Sequence, residues 1–380
     1  MNYRRLGKTE LMVSEIGFGA EWMERKTAEE VAATTQRFAQ AGVNILDCWM
    51  AEPEVRSNLG AAIAGDRDHW IIQGHIGSTW QNGQYVRTRD MDRVKPAFED
   101  LLARLGTDHV ELGMIHYVDA LEEFDAIMNG PFIAYVRELL ASGAIEHVGL
   151  STHSPEVARA AALSGEIEAI MFSVNPAFDM MPATSDLDAL FGTYDAGLEG
   201  MEPARAELYA TCEREDVGIT VMKGYAGGRL LTEESSPFGV ALTPVQCIHY
   251  ALTRPAVASI MVGAANEAHV DDALAYETAT EEERDYASVL ANAPRHAYFG
   301  QCTYCGHCAP CAAHIDIALV NKFYDLAAAQ PRVPASVQAH YEALGATAAD
   351  CIACEECESR CPFGVKIADR MTKAAALFGR

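Results

Sequence analysis

Eight short apolar segments, rich in β-branched residues, recur along the first three hundred residues of the chain. They alternate with stretches such as AEEVAATTQRFAQAG and DMDRVKPAFEDLLARLG, whose apolar residues recur at helical spacing. Strands that alternate with helices pair in parallel, because each helix returns the chain to the same end of the sheet. The eight segments are EIGFGA, VNILDCW, WIIQGHIG, HVELGMIHY, HVGLSTH, AIMFSVN, GITVMKG and SIMVGA.

Eight such units in about 290 residues are typical of a closed (β/α)8 TIM-type barrel. A doubly wound open sheet is the alternative. It is disfavoured because no G-x-G-x-x-G sequence follows the first strand, so the usual dinucleotide fingerprint of that fold is missing.

Polar residues end six consecutive strands of the predicted barrel. Active sites of such barrels lie at the C-terminal ends of the strands. Asp47, His75 and His116 come from neighbouring strands about 4.8 Å apart, so we expect their side chains to meet and form the reactive centre. The six strand-end residues are Asp47, His75, His116, His153, Asn175 and Lys223. We expect Lys223 and His153 to lie at the edge of this centre.

Eight of the eleven cysteines lie in two runs near the end of the sequence, CTYCGHCAPC and CIACEECESRCP. The second run has the C-x2-C-x2-C-x3-C-P spacing of bacterial ferredoxins, in which three cysteines hold one [4Fe–4S] cluster and the fourth reaches the other. Two runs therefore predict two clusters with crossed ligation. One set is Cys302, Cys305, Cys308 and Cys361, and the other is Cys311, Cys351, Cys354 and Cys357.

Zinc is the alternative ligand of these cysteines, because it also takes four thiolates. Three consecutive x2 spacings would crowd a single ion, and this favours the clusters. The first run departs from the ferredoxin spacing, since its last gap is x2 and Ala312 stands where proline is usual. Two helical stretches separate the runs. We predict a barrel over residues 1–295 and a small, mainly α-helical ferredoxin-like iron–sulfur domain over residues 296–380.

The chain has a formal net charge of -25, which disfavours binding to nucleic acid or to an anionic membrane surface. No apolar run approaches the roughly 20 residues of a membrane-spanning helix. The first residues, MNYRRLGKTE, lack the apolar centre of a signal peptide. We therefore expect a cytoplasmic protein whose partners are a small-molecule substrate and an electron carrier, with no nucleic acid and no membrane.

Several motifs, in their order along the chain, resemble those of the aldo/keto reductases. They are YRRLGKTELMVSEIGFGA, ILD, MIHY, GLSTH and MKGYAGGRLL. Together with the eight cysteines, they resemble the branch of that family with a C-terminal ferredoxin-like domain. The resemblance implies a (β/α)8 barrel and NADPH-dependent carbonyl reduction by an Asp, Tyr, Lys and His set, in which the lysine lowers the pKa of the acidic tyrosine. Asp47 and His116 match this set, whereas Glu52 stands at the tyrosine position and His75 at the lysine position.

The resemblance also implies a nicotinamide site, of which only part is present. Met171 stands where the family has glutamine, and His269 stands where it has the arginine that meets the 2′-phosphate. NADP(H) binding is therefore left open by the sequence. The candidate cofactor-binding residues are Ser151, Asn175, Gly227, Gly228, Arg229 and Gly263.

Three functions agree with these residues. In the first, the two clusters relay electrons from an external ferredoxin or other carrier to a small organic substrate in the barrel mouth. In the second, the chain is an NADP(H)-dependent carbonyl reductase with Glu52 or His116 as the acid. In the third, Asp47, His75 and His116 bind a divalent ion for lyase-like or redox chemistry. We favour the first, because it explains why a barrel with few nicotinamide anchors carries two clusters.

Overall fold

A computed structural model describes residues 1–180, 201–293, 300–328, 330 and 332–379. Eight of its strands pair in parallel and close into a barrel in the order β3-β4-β5-β8-β9-β10-β11-β12, with β12 pairing β3. The predicted (β/α)8 barrel is therefore confirmed. The strands are β1 (Tyr3–Arg5), β2 (Met12–Ser14), β3 (Ile16–Gly19), β4 (Ile45–Cys48), β5 (Ile71–Ile76), β6 (Ser78–Gln81), β7 (Gln84–Arg87), β8 (Val110–Ile115), β9 (Ile145–Thr152), β10 (Ala169–Ser173), β11 (Gly218–Met222) and β12 (Val257–Gly263).

Helices follow most of the barrel strands, and several begin at side-chain caps. Thr27 and Glu30 form a capping box at the start of α1, as Thr243 and Gln246 do at the start of α9. The helices are α1 (Ala28–Gln40), α2 (Pro53–Ile63), α3 (Met91–Leu105), α4 (Leu121–Met128), α5 (Pro131–Ser142), α6 (Pro155–Leu163), α7 (Pro176–Asp179), α8 (Pro203–Arg214), α9 (Pro244–Leu252), α10 (Glu267–Leu274), α11 (Tyr286–Ala291), α12 (Ile317–Ala328), α13 (Ala335–Glu342), α14 (Glu356–Arg360) and α15 (Ile367–Phe378). Among the helices that the structure describes, none has the length and hydropathy needed to cross a membrane.

The register of the barrel strands brings polar side chains together at the end of β4 and β5. Asp47 on β4 pairs with Gln73 on β5, and His75, two residues further along β5, points to the same side of the sheet as Gln73. His116 follows the last residue of β8 directly. Apolar side chains fill the rest of the barrel, including Ile45, Leu112, Met114, Ala169 and Met261.

Two antiparallel hairpins accompany the barrel. The first pairs β1 with β2, Tyr3 opposite Ser14 and Arg5 opposite Met12. The second, β6–β7, follows β5 and was not predicted; it turns at Asn82 and Gly83. Both turn residues have positive φ, 52° and 78°, which is the backbone conformation that favours Asn-Gly in two-residue hairpin turns.

The chain forms two compact units. The first comprises Met1–Val174, Asp216–Gly224 and Ala256–Ala279, and so holds all eight barrel strands. The second comprises Asn175–Glu215, Tyr225–Pro255 and Thr280–Arg380, including the eight clustered cysteines. The predicted domain boundary between residues 295 and 296 falls within 294–299, which lie outside the described residues, and it stays a prediction.

In the second unit, helices hold the two cysteine runs together. Arg370 on α15 donates to Asn321 and Asp325 on α12, over 2.6 and 2.5 Å. The rings of Tyr341 and Phe378 stack with centroids 4.0 Å apart. The two helical stretches predicted between the cysteine runs form α12 and α13, so the helical character expected for this region is confirmed.

Candidate active site and cluster cavities

Three buried side chains form a continuous hydrogen-bonded chain inside the barrel. His75 Nε2 lies 2.9 Å from Asp47 Oδ1, and His75 Nδ1 lies 2.7 Å from His116 Nδ1. The exposed fractions of Asp47, His75 and His116 are 1%, 2% and 6%. The structure therefore brings together the three residues expected at the reactive centre, in contacts short enough for proton transfer.

The inner end of this chain is fixed by two further polar residues. Gln73 Nε2 donates to Asp47 Oδ1 over 3.0 Å, and Thr220 Oγ1 donates to Gln73 Oε1 over 2.7 Å. The amide of Gln73 is thereby held in one orientation, with its NH2 group toward Asp47. Asp47 Oδ1 is thus contacted by both Gln73 Nε2 and His75 Nε2.

The outer end of the hydrogen-bonded chain is Tyr85, which is not among the catalytic residues predicted from the sequence. The hydroxyl of Tyr85, on β7, lies 2.7 Å from His116 Nε2. Trp49 packs against both side chains: its ring meets Tyr85 edge-on at 5.3 Å and stacks over His116 at 5.9 Å. The signal that could have found Tyr85 is the Asn-Gly pair between STWQ and QYVR, which predicts a hairpin directly after β5.

Only one set of proton positions satisfies every contact when both imidazoles are neutral. Ionised Asp47 can only accept, so His75 carries its proton on Nε2 and accepts at Nδ1. His116 must then donate from Nδ1 and accept at Nε2, where Tyr85 donates its hydroxyl proton. All hydrogen bonds in the chain thus point inward, from Tyr85 toward Asp47.

Burial determines the protonation states of His116 and Tyr85, the outer two residues of the hydrogen-bonded chain. It lowers the pKa of His116 well below its ordinary value, and electrostatic interactions with His75, Arg89 and Arg87 lower it further. Burial raises the pKa of Tyr85 to about 12. At neutral pH, therefore, His116 is neutral and Tyr85 keeps its proton.

His153 and Ser151 are engaged beside this chain. His153 Nδ1 lies 2.9 Å from Asp119 Oδ2, and its ring packs edge-on against Tyr117 at 5.2 Å. Burial would raise the pKa of Asp119, but hydrogen bonds from His153 and Thr152 bring it below its ordinary value. The backbone N–H of Tyr117 donates to Ser151 Oγ over 2.8 Å, which gives Ser151 a structural contact at the position where the family binds the carboxamide.

Glu52 and Lys223 have other local surroundings. Glu52 is the N-cap of α2, and its Oε2 accepts from the backbone N–H of Val55 over 2.9 Å. Lys223 follows β11 with a φ of 57°. Burial lowers the pKa of Lys223, while the carboxylates of Glu21 and Asp119 oppose that shift. Glu52 has no direct hydrogen bond to the Asp47–His75–His116 chain among the contacts of the described residues. The roles of Glu52 and Lys223 both stay predictions.

The predicted cofactor-binding residues divide between the two units. Gly263 ends β12, and a Cβ there would approach Trp22 Cδ1 to 2.6 Å, so glycine is required by that indole. In the second unit, Asn175 Oδ1 accepts from the N–H of Phe178 and caps α7. Gly227 and Gly228 have positive φ, 66° and 88°, just before Arg229. The binding role of these residues stays a prediction.

The eight clustered cysteines line two cavities, four around each. One cavity is lined by three cysteines of the first run and one of the second: Cys302, Cys305, Cys308 and Cys361. The other is lined by Cys311, Cys351, Cys354 and Cys357. This is the grouping that crossed ligation requires.

These cavities fit an iron–sulfur cluster better than a single ion. In the described part of the chain, no three His, Cys, Asp or Glu side chains lie close enough together to hold one metal ion, and the cysteine sets are among those residues. Four thiolates spread around a cavity are what a four-iron cube requires. Beside the cysteines, the linings are largely apolar, with Ile315 and Met371 in one and Phe363 and Val365 in the other.

In the barrel, Asp47, His75 and His116 are hydrogen-bonded to one another in series. A divalent ion held by these three residues stays a prediction. The nicotinamide positions fit poorly in one respect, since position 171 is a buried methionine.

Two family models match the chain. The model described as the aldo/keto reductase family matches residues 15–243, well over half of the chain. The model described as a 4Fe-4S dicluster domain matches residues 301–366, which hold all eight clustered cysteines.

Comparison with individual proteins gives the same result. The chain is 30% identical over 169 residues to the aldo-keto reductase YhdN of Bacillus subtilis (strain 168), covering 41% of this chain and 48% of that protein; the match thus spans about half the length of the relative. An aldo-keto reductase from Bacillus halodurans is similar in fold: its holo form gives a TM-score of 0.61 at 21% identity. The apo form gives 0.54 at 20%. Each covers 78% of this chain and 98% of the other.

Proposed function

The chain belongs to the aldo/keto reductase family, and on that premise we propose that this iron–sulfur oxidoreductase reduces the carbonyl group of a small organic substrate in the barrel mouth with electrons that arrive one at a time. The observation that carries the proposal is the meeting of four cysteines, drawn from both runs, around each of two cavities. When bound, [4Fe–4S] clusters transfer single electrons. The source of these electrons would be an external carrier of the ferredoxin type.

The barrel residues would supply protons rather than electrons. Reduction of a carbonyl to an alcohol consumes two electrons and two protons. Asp47, His75 and His116 are hydrogen-bonded in series, and an added proton would reside on His75, where the Asp47 carboxylate stabilises an imidazolium. The His75 imidazolium, paired with Asp47, would then take the place of the family's lysine as the positive charge next to the proton donor.

A nicotinamide as the hydride donor is less well supported. Met171 stands where the family has glutamine and offers no amide hydrogen bond to the carboxamide. His269 stands where the family has the arginine that meets the 2′-phosphate. We therefore assign no step of the reaction to NADP(H).

An electron-donor swap tests the proposal. Anaerobic protein would be assayed with 4-nitrobenzaldehyde as the carbonyl probe, using either reduced methyl viologen or NADPH as donor. We expect reduction with the viologen and much slower reduction with NADPH. The Cys302→Ser, Cys351→Ser double variant should lose the viologen-driven reaction. NADPH-driven turnover that is equal in the wild type and in this variant would contradict electron supply through the clusters.

A further inference from the structure

We propose that Tyr85, on the β6–β7 hairpin, is the catalytic residue that gives a proton to the substrate, in place of the family's tyrosine after β4. The inference rests on the proposed function and specifies its proton donor. It starts from geometry: Tyr85 Oη lies 2.7 Å from His116 Nε2, at the only end of the buried chain that is not closed off inside the barrel.

Asp47, at the inner end of the hydrogen-bonded chain, cannot exchange a proton with a substrate. Asp47 is 1% exposed and is bonded to Gln73, which is itself fully buried and bonded to Thr220. At the outer end, Tyr85 is half-buried and is the one hydrogen-bond partner of His116 Nε2 among the described residues. A proton that enters or leaves the Asp47–His75–His116 chain along hydrogen bonds must therefore pass through the Tyr85 hydroxyl.

The hairpin that carries Tyr85 is held firmly to the barrel. Arg87 donates to the carbonyl oxygen of Tyr117 over 2.6 Å, and Arg89 donates to that of His116 over 2.7 Å. Ser78 Oγ donates to the carbonyl oxygen of Trp49 over 2.6 Å. These contacts tie both strands of the hairpin to the loops that carry His116 and Trp49, so the Tyr85–His116 distance is defined by the surrounding structure.

The other side chains considered for this role are less well placed. Glu52 caps α2 through its carboxylate. Tyr117 packs under the guanidinium of Arg87, 4.6 Å from the ring centroid, and the described contacts include no hydrogen bond from its hydroxyl to His116 or His75. His153 is paired with Asp119. Within the part of the protein that the structure describes, Tyr85 alone continues the buried hydrogen-bonded chain toward the outside.

One added proton reverses the direction of two hydrogen bonds, that between His75 and His116 and that between His116 and Tyr85. With His75 doubly protonated, its Nδ1–H donates to His116 Nδ1, and His116 then carries its own proton on Nε2 and donates to the oxygen of Tyr85. The hydroxyl proton of Tyr85 is released from His116 and is free to point at a substrate oxygen. The charged state is therefore the state in which Tyr85 is able to act as an acid.

Tyr85 gives its proton in the first of two one-electron steps. An electron from the one-electron donor enters the carbonyl while the Tyr85 O–H bond breaks and the proton joins the carbonyl oxygen, giving a neutral ketyl radical. The Nε2–H proton of His116 moves to Tyr85, and the Nδ1–H proton of His75 moves to His116, which leaves both imidazoles neutral. A second electron from the donor and a proton from water at the carbon complete the alcohol. Two equivalents of donor are oxidised for each carbonyl.

The experiment compares Tyr85→Phe with Tyr135→Phe. Tyr135 is a matched control, because burial raises its pKa to about 12 as well while it lies on α5, outside the hydrogen-bonded chain. Turnover would use reduced methyl viologen and 4-nitrobenzaldehyde. We expect Tyr85→Phe to lower kcat by about a hundredfold or more with little change in KM, as for loss of a general acid, and Tyr135→Phe to retain wild-type turnover. The wild-type kcat should also fall with rising pH, whereas the residual rate of Tyr85→Phe should not.

A second measurement needs no substrate. In 15N NMR spectra of the histidine rings, Tyr85→Phe should shift His116 Nε2, which loses its donor, and Tyr135→Phe should not. Unchanged kcat or an unchanged Nε2 resonance in Tyr85→Phe would overturn the assignment while leaving the proposed function intact. Absence of viologen-driven turnover in the wild type, with both clusters reduced, would instead overturn the proposed function and with it the role of Tyr85.

Discussion

The Nδ1 atoms of His75 and His116 lie 2.7 Å apart. Two imidazole nitrogens make such a contact only when one carries a proton and the other does not, so the protonation of each ring determines that of its partner. His75 is further constrained by the Asp47 carboxylate at its other nitrogen. The two rings therefore change their protonation together. A substitution of either ring should change the hydrogen bond between His116 and Tyr85.

Replacing His75 by lysine tests whether the two histidines transfer protons or hold an ion. The ammonium of His75→Lys can only donate, so it would pair with Asp47 and donate to His116 Nδ1. His116 would then donate from Nε2 to Tyr85, as in the protonated wild type. We expect turnover within about tenfold of wild type, whereas His75→Ala should lose about a hundredfold or more. Viologen-driven reduction of 4-nitrobenzaldehyde is the measurement.

Iron content is the control for both His75 variants, and it should equal that of wild type because the cysteines that line the cluster cavities are in the other compact unit. A divalent ion in the barrel would give the opposite pattern. Lysine would then displace the ion, and activity would be lost in His75→Lys as completely as in His75→Ala.

Stability should fall on the acid side of neutrality because of His116. Its folded-state pKa lies well below the unfolded value, so below about pH 6.5 the unfolded chain binds a proton that the folded chain does not. The free energy of unfolding therefore decreases as the pH falls, by at most about 1.4 kcal/mol per pH unit from this residue. The melting temperature of His116→Gln should accordingly drop less than that of wild type between pH 7 and pH 5.5, measured anaerobically.

His147 provides a control of opposite sign. The hydrogen bond that His147 donates to Glu168 raises the pKa of His147 in spite of partial burial, so the stability it contributes is present at low pH and is lost as the pH rises. Relative to wild type, the melting temperature of His147→Gln should be lowered more at pH 5.5 than at pH 8. The same pH response in the two variants would show that neither histidine is responsible for it.

The strands and the cysteine runs could be predicted from the sequence because both signals are local. A buried parallel strand such as VNILDCW is a short apolar run, and the structure has β4 within it. The cysteine spacing is fixed by the size of a cluster, and the predicted sets are those that line the two cavities. Strand order also placed Asp47, His75 and His116 side by side, because consecutive strands of a barrel are neighbours.

Tyr85 could not be predicted in the same way, since its role depends on how a hairpin folds over the barrel. Its distance from His116 is set by Arg87, Arg89 and Trp49, three residues whose contacts with the loops no sequence period reveals. Glu52 was proposed by its place in the sequence after Asp47. The structure has it capping α2, a contact that Glu makes less often than Ser, Thr, Asp or Asn.

The crossed arrangement of cysteines predicts an unusual effect of one substitution. Cys361 belongs to the second run but lines the cavity of Cys302, Cys305 and Cys308. Wild-type protein purified without oxygen should contain about eight iron and eight acid-labile sulfur atoms. Cys361→Ser should deplete the cluster of the first run, seen in the electron paramagnetic resonance spectrum of the reduced protein.

The matched variant is Cys311→Ser, which should affect the cluster of the second run instead. Loss of the second-run cluster in Cys361→Ser would mean that each run ligates its own cluster. Stoichiometric zinc without labile sulfur in the wild type would contradict the presence of clusters altogether.

NADPH should bind weakly, and one substitution should improve it. Loss of a charge-assisted hydrogen bond costs about 1.5–3 kcal/mol, or roughly ten- to a hundredfold in affinity, so we expect a dissociation constant above about 1 µM. His269 stands at the position of the family's arginine, is exposed, and accepts from the N–H of Ala265 through Nδ1. His269→Arg should therefore tighten NADPH by about tenfold in calorimetry and leave NADH unchanged, because only NADPH has the 2′-phosphate. Submicromolar NADPH binding by the wild type would remove the main argument for electron supply through the clusters. Equal gains in affinity for NADPH and NADH in His269→Arg would show that position 269 does not meet the phosphate.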